Sequence, residues 1–222
     1  MLNDKEDSEL FRVVLIVIVA GIMLASSGVL GSRGISAAFG APADSPKTFI
    51  QAVSDSAIRV LHNRELSEQD RVSEFRRLFA AGLDFRAIGR AVLGRHWKRA
   101  TADDRQAFQL LFWDYVINTY AARLARYSIE ELTIGESRSS SNGDETVSTT
   151  VVAAGGASTR IDWRVRKSSD GDPSGGYKIV DMAVEGMSMA LTQRSEFASV
   201  IRRDGGILSG LISRLRTKLA QN

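Results

Sequence analysis

Apolar and polar positions recur with two different periods along this chain, and the switch between them divides it. From Phe49 to about Tyr127 apolar residues return every three or four positions, the spacing of one helical face. Phe49, Ile50, Val53, Ala57, Val60 and Leu61 form the first such stripe. Ser45-Pro46 opens it, a capping residue followed by proline at the first helical position. Ser67-Glu68-Gln69-Asp70 fits a capping box and predicts a second helix. Val72, Phe75, Leu78 and Phe79 lie on its apolar face, and Gly82 ends it. Asp84 caps a short helix over Phe85–Leu93, which Gly94 stops. Thr101-Ala102-Asp103-Asp104 begins the longest helix, running to about Tyr127. Around Leu110-Leu111-Phe112-Trp113 this helix is apolar on every side, so it is expected to be central and covered on several faces.

After Ser128 the period becomes two. Ile129–Glu136, Glu145–Ala154, Thr159–Lys167 and Tyr177–Val184 read as strands, separated by the polar turn Ser137–Asp144, by Gly155-Gly156 and by the loop Ser168–Gly176. In the third strand Ile161, Trp163 and Val165 point one way and Arg160, Asp162, Arg164 and Arg166 the other, which predicts a sheet with one covered and one wet face. Two helices follow, roughly Ala190–Arg203 and Ile207–Lys218, separated by Gly205-Gly206. Strands grouped between helices indicate an α+β fold, with helices packed on a four-strand antiparallel sheet.

One segment stands apart from both periods. Val13–Leu30 is an uncharged, mainly apolar run of 18 residues, preceded by Arg12 and followed by small residues ending in Ala41-Pro42-Ala43. Basic residue, apolar run and small residues in that order predict an export signal over residues 1–43, with cleavage between Ala38 and Asp44. The acidic start (Asp4, Glu6, Asp7, Glu9) and a length just sufficient to span a bilayer leave retention as a membrane anchor as the alternative. Residues 44–222 then form one folded domain.

Composition narrows the function classes. Of 222 residues, 44% are hydrophobic and 25% charged, which is ordinary globular usage. There is no cysteine, so disulfides, thiolate metal sites and a thiol nucleophile are excluded. A net charge of +3 is far from the dense basic stripe of a nucleic-acid binder, and no nucleic-acid partner is expected. GxSxG, P-loop and GxGxxG motifs are absent, and no cofactor, metal or catalytic residue is predicted. His62 and His96 read as surface or packing histidines, and Asp103-Asp104 as a helix start. Asp181 is the most unusual carboxylate, because it interrupts the apolar strand Ile179-Val180-Asp181-Met182 and so needs an arginine or backbone amides as partner. The segment Arg86, Arg90, Arg95, His96, Lys98, Arg99 is either a solvated basic face or a receiver of phosphate headgroups or of a partner protein.

Several short segments, in order, resemble a known family. They are Phe75-Arg-Arg-Leu-Phe79, Asp84-Phe85-Arg-Ala-Ile88, Leu93-Gly94-Arg-His-Trp97 and Phe108-X3-Phe112 leading to Tyr120-Ala121-X2-Leu124-X2-Tyr127. The second half adds Tyr177-Lys-Ile-Val-Asp181-Met-Ala-Val-Glu185-Gly186-Met-Ser188, Arg194-Ser-Glu196-Phe197 and Ile201-Arg-Arg-Asp-Gly205-Gly206. Together they resemble the toluene-tolerance (MlaC) family of Gram-negative phospholipid-binding proteins over about residues 46–218.

The resemblance implies an NTF2-like element enclosing an apolar lipid cavity, with no enzymatic activity. It implies a periplasmic carrier shuttling phospholipid between an inner-membrane ABC transporter complex and an outer-membrane lipoprotein complex. A branch associated with hopanoids is the alternative, as are, further off, an NTF2-like enzyme and a membrane-anchored adaptor. The lining expected on the helices is Ile88, Val92, Trp97, Phe108, Leu111, Phe112 and Tyr115. On the sheet it is Val151, Ile161, Trp163, Val165, Met182 and Val184, with Met187 beyond. An ordinary core also explains every one of these residues. A cavity would gain roughly 0.8 kcal/mol per methylene of acyl chain buried.

Overall fold

The computed structural model of the chain describes residues 43–63, 65–124, 129–153, 156–168 and 176–221. The predicted export run Val13–Leu30, and residues 125–128 at the expected end of the long helix, lie outside them. No helix among the described residues is long and apolar enough to cross a membrane.

Local capping chemistry sets most of the helix boundaries. Helix α1 (Pro46–His62) starts at Ser45, whose hydroxyl accepts from the Thr48 N–H at 3.2 Å, while the Thr48 hydroxyl oxygen accepts from the Ser45 N–H at 3.0 Å. Helix α2 (Glu68–Gly82) is capped by Ser67 and α3 (Phe85–Leu93) by Asp84, whose carboxylate accepts from the Ala87 N–H at 2.8 Å. Gly94 ends α3 at φ +51° and turns the chain into a short helix not foreseen from the periodicity, α4 (Arg95–Arg99). Helix α5 (Ala102–Leu124) begins where the Thr101 hydroxyl accepts from the Asp104 N–H at 3.1 Å.

The strands are β1 (Ile129–Ser139), β2 (Glu145–Ala153), β3 (Ser158–Lys167), β4 (Tyr177–Val184) and β5 (Met187–Ser188). They form one antiparallel meander in the order β1-β2-β3-β4-β5. Among the described residues the sheet therefore has five strands, the last being a two-residue pairing of Ala183 and Val184 with Ser188 and Met187. That pairing is too short to leave an alternating pattern. Strand β1 runs past Glu136 because Ser137, Arg138 and Ser139 pair with Val147, Thr146 and Glu145; ladder bonds use the backbone, so polar side chains do not end them.

Helices α6 (Met189–Arg203) and α7 (Leu208–Ala220) close the chain. Helices α1 and α2 pack together and onto the sheet, while α3, α5, α6 and α7 pack mainly on one another. Helix α5 serves both groups. Phe108, Phe112 and Tyr115 join the helical core, and Trp113 and Ile117 join the sheet-facing core. These two stripes lie roughly 140° apart around the helix axis. The expectation that α5 is covered all round holds only in part, because Leu110 is 64% exposed. It shares a stripe with Ile117, one heptad on, but the sheet-facing core covers only the later turns.

Candidate functional site

Directly opposed residues of an antiparallel ladder point to the same side, so pairing builds the inner wall of the sheet row by row. One row is Val147, Trp163 and Met182, and the next is Thr149, Ile161 and Val184. The Trp163 indole N–H donates to the Thr149 hydroxyl at 3.0 Å, which satisfies the one polar atom of the ring and fixes its orientation. Across from this wall stand Phe75 and Leu78 of α2, Val60 of α1 and Ile117 of α5. Val151, Ile161 and Val184 are fully buried against them. Around this centre lie large apolar side chains that are only partly buried: Phe79, Trp113, Leu132, Trp163, Met182 and Met189. They pack against this centre without being fully enclosed by it.

The expected lining residues fall into separate places. Val151, Ile161, Trp163, Met182 and Val184 come together on the sheet side of this core. Val165 sits in a smaller cluster under α1 with Phe49, Ile50, Val147 and Ile179, a cluster that Trp163 also touches. The helix-borne set is elsewhere. Val92, Phe108, Phe112 and Tyr115 are buried in the all-helical core, with Ile88, Trp97 and Leu111 packed against it. There Phe108 stacks on Phe112 with centroids 5.3 Å apart, and Phe197 meets both rings edge-on. Met187 is 43% exposed on β5. Trp113 and Ile117 belong to the sheet-facing wall but lie outside the expected lining. Their i, i+4 spacing on a stripe distinct from Phe108 and Phe112 is the signal that marks them.

Asp181 has the partners its position demanded. Its carboxylate accepts from the Met182 N–H at 2.8 Å, the Ala190 N–H at 3.1 Å and the Ser188 hydroxyl at 2.6 Å, with Arg164 Nη2 at 3.5 Å. Ser188 in turn caps α6 by accepting from the Leu191 N–H. Asp181 thus ties β4 to the first turn of α6, the turn that carries Met189 into the sheet-facing core. Arg164 also approaches Asp144, a carboxylate only 1% exposed that Arg166 holds with two hydrogen bonds of 2.7 and 3.0 Å. The Arg166 hydrogen bonds hold the Asp144 carboxyl below its ordinary range against the opposing effect of burial. Among the described residues no three His, Cys, Asp or Glu side chains gather as a metal site.

Comparison with known proteins supplies the remaining information. The family profile described as "MlaC protein" matches residues 51–217. A curated relative from Haemophilus influenzae, the "Intermembrane phospholipid transport system binding protein MlaC", is 26% identical over 135 residues, covering 60% of this chain. The matched stretch spans 61% of that relative's length. Among solved structures, the phospholipid-binding protein from Ralstonia solanacearum, determined in complex with a phospholipid, superposes with a TM-score of 0.65 at 25% identity. That likeness covers 79% of this chain and 97% of the other.

Proposed function

The chain belongs to the MlaC family, and on that footing we propose that it is a periplasmic phospholipid carrier. It takes the acyl chains of a phospholipid between the sheet and α1, α2 and α5, and works by binding and release with no covalent step. The observation that carries this reading is the set of partly buried apolar side chains packed against the sheet-facing core, Trp163, Met182 and Leu132 from the sheet and Phe79, Trp113 and Met189 from the helices. Soluble domains ordinarily bury such groups, and a ligand that covers them gains roughly 25 cal/mol per Å² of apolar surface. The phospholipid complex of the Ralstonia protein, similar over most of both chains, supports the same ligand class.

The proposed acyl site is the sheet wall of Val151, Ile161, Trp163, Met182 and Val184, faced by Trp113. The helical core around Phe108 and Phe112 holds the sheet and α6 in register behind it. Met187, exposed beyond β4, stands at the rim, where an unbranched and polarisable side chain adapts to ligands of varied shape.

In the cell, residues 1–43 direct export and are removed, and residues 44–222 exchange lipid between an inner-membrane ABC transporter complex and an outer-membrane lipoprotein complex. The naming of the Haemophilus relative as a component of an intermembrane transport system supports that role.

Native mass spectrometry of protein purified from its own cells tests the carrier reading. About one phospholipid per chain is expected. Less than about a tenth of an equivalent of any lipid after organic extraction sinks it, and a hopanoid in place of a glycerophospholipid changes the substrate. Intact mass of the periplasmic fraction tests the processing, and a full-length mass found only in the inner-membrane fraction identifies residues 1–43 as an anchor.

A further inference from the structure

Arg194 of α6 folds onto the turn that opens α4, beside a buried histidine that α4 flanks with Arg95 and Arg99. His96 is the second residue of α4, is 7% exposed, and its Nε2 has no hydrogen-bond partner. Burial lowers the proton affinity of its ring, and the charges of Arg95, Arg99, Arg202 and Arg194 lower it further. Arg95 and Arg99 come from α4 itself, and Arg194 and Arg202 from α6.

The local backbone makes the approach of Arg194 possible. A Cβ at position 94 would overlap the Arg194 guanidinium, so the glycine that ends α3 also leaves the space into which Arg194 folds over the α3–α4 turn. All four arginines are exposed, and none makes an ion pair with a carboxylate among the described residues. The acids nearest in sequence are engaged elsewhere. Glu196 accepts from Gln193 at 2.9 Å, and Asp204 is held by two hydrogen bonds from Arg214 at 2.8 and 2.9 Å. Uncompensated like charge gathered this way opposes folding, so it marks a face that an anion completes.

We propose that Arg95, Arg99, Arg194 and Arg202 form a docking face for the anionic phosphates of a phospholipid membrane surface. Guanidinium groups suit this partner because they bond phosphate oxygens in pairs. The exposed Leu191 on the same helix favours a membrane over an acidic protein. Leu191 and Arg202 lie on one helical stripe of α6, with Arg194 next to it, and Leu191 is 62% exposed. An exposed leucine on the same helix face as two arginines suits an interface, with the arginines at headgroup level and the leucine just below. The first turn of the same helix carries Met189 into the sheet-facing core, so docking through α6 sets the rim of that core against the bilayer. The orientation rests on the proposed lipid site; the attraction to anionic phosphate does not.

Vesicle co-sedimentation of the full chain tests this. The probes are phosphatidylcholine vesicles with and without roughly a quarter phosphatidylglycerol, and lipid extraction of each protein runs in parallel. Stronger partition onto the anionic vesicles is expected, falling at about 0.5 M salt where screening shortens to a few ångströms. The double variant R194Q/R202Q should lose about thirtyfold in partition, on the order of fivefold per arginine. R194K/R202K should keep most of it. The control R77Q/R138Q removes the same charge from α2 and β1 and should bind as the native chain does. Any contribution of residues 1–43 is common to all four proteins. Equal partition onto both vesicle types, or equal losses in R194Q/R202Q and the control, overturns the proposal and leaves an acidic protein surface as the occupant. Loss of vesicle binding with lipid content intact separates docking from carriage.

Discussion

Phe85 and Trp113 meet edge to face with ring centroids 3.9 Å apart and planes at 74°. Phe85 packs with the helical core and Trp113 with the sheet-facing core, so this pair is where the two join. Shortening Trp113 to alanine removes a wall of one core and the support of a ring in the other. Trp113→Ala should cost about 3 kcal/mol in urea unfolding, toward the lower end for a large aromatic because the ring is only partly buried. A double-mutant cycle with Phe85→Ala should return a coupling of about 1 kcal/mol. Strict additivity would show that the two cores are energetically independent at this point.

Trp163 tests the proposed acyl site from the sheet side. Its ring lies in the row with Val147 and Met182 and touches two of the three apolar clusters. Trp163→Arg places a charge on that wall, where burial without a partner is costly. Bound phospholipid in the purified variant should fall several-fold while the far-ultraviolet spectrum keeps its native shape. Trp163→Phe, which gives up the hydrogen bond to Thr149 and part of the ring but adds no charge, should retain most of its lipid. Full occupancy in Trp163→Arg would move the site away from this wall.

Asp181 should behave as a structural tie. In Asp181→Asn the remaining carbonyl still accepts from the Met182 and Ala190 amides, but the attraction to Arg164 is lost and the Ser188 hydroxyl must reverse its role. The expected loss is about 1–3 kcal/mol of stability. Lipid content per folded molecule should stay unchanged. A variant of native stability that purifies empty would put Asp181 in the ligand site.

Stability should fall on acidification in two stages. His96 has its folded proton affinity lowered, by burial first and then by Arg95, Arg99, Arg202 and Arg194, so the neutral ring is the form compatible with the fold. Its contribution is complete above the ordinary histidine value of about 6.5 and declines as pH drops through the lower folded value. Asp144 follows the same sign at lower pH. Its carboxyl is held down by Arg166, so its contribution is present above the ordinary carboxylate range and is lost as pH falls through the folded value. Urea midpoints measured between pH 8 and pH 3 should therefore show an early decline that His96→Gln flattens and a later one that Asp144→Asn flattens. An unchanged profile in either variant would remove that residue from the account.

Much of the fold was readable in short segments because its signals are local. Ser45, Ser67, Asp84 and Thr101 cap helices through atoms three residues away, and the alternation in Arg160–Lys167 reports a sheet with one wet face directly. The partners of Asp181 were inferable from the cost of burying a carboxylate alone. The division of the apolar residues was not readable in the same way. Periodicity says that Phe108 and Trp113 are both apolar positions on α5, but which neighbour each meets depends on where α2, α6 and the sheet arrive from elsewhere in the chain. The expected lining therefore joined residues of one core to residues of another. The five-residue α4 and two-residue β5 are too short to repeat a period, and tertiary packing fixes them.

The meander has a consequence for how the chain reaches this structure. Strands β1 to β5 come from one contiguous stretch, each pairing with the next, so the sheet assembles by closing short hairpins in succession. The helical core is the opposite case: α3 and α5 precede the sheet in sequence, α6 and α7 follow it, and they meet only after the whole meander has been traversed. Closing that distant contact carries the larger loop entropy and belongs to the slow step of folding. As the chain emerges from the export machinery, Phe108 and Phe112 wait for Phe197, which comes last of the three. Until it arrives they present an apolar surface that other chains can reach, so the interval before the final two helices appear is when this protein most needs protection from aggregation.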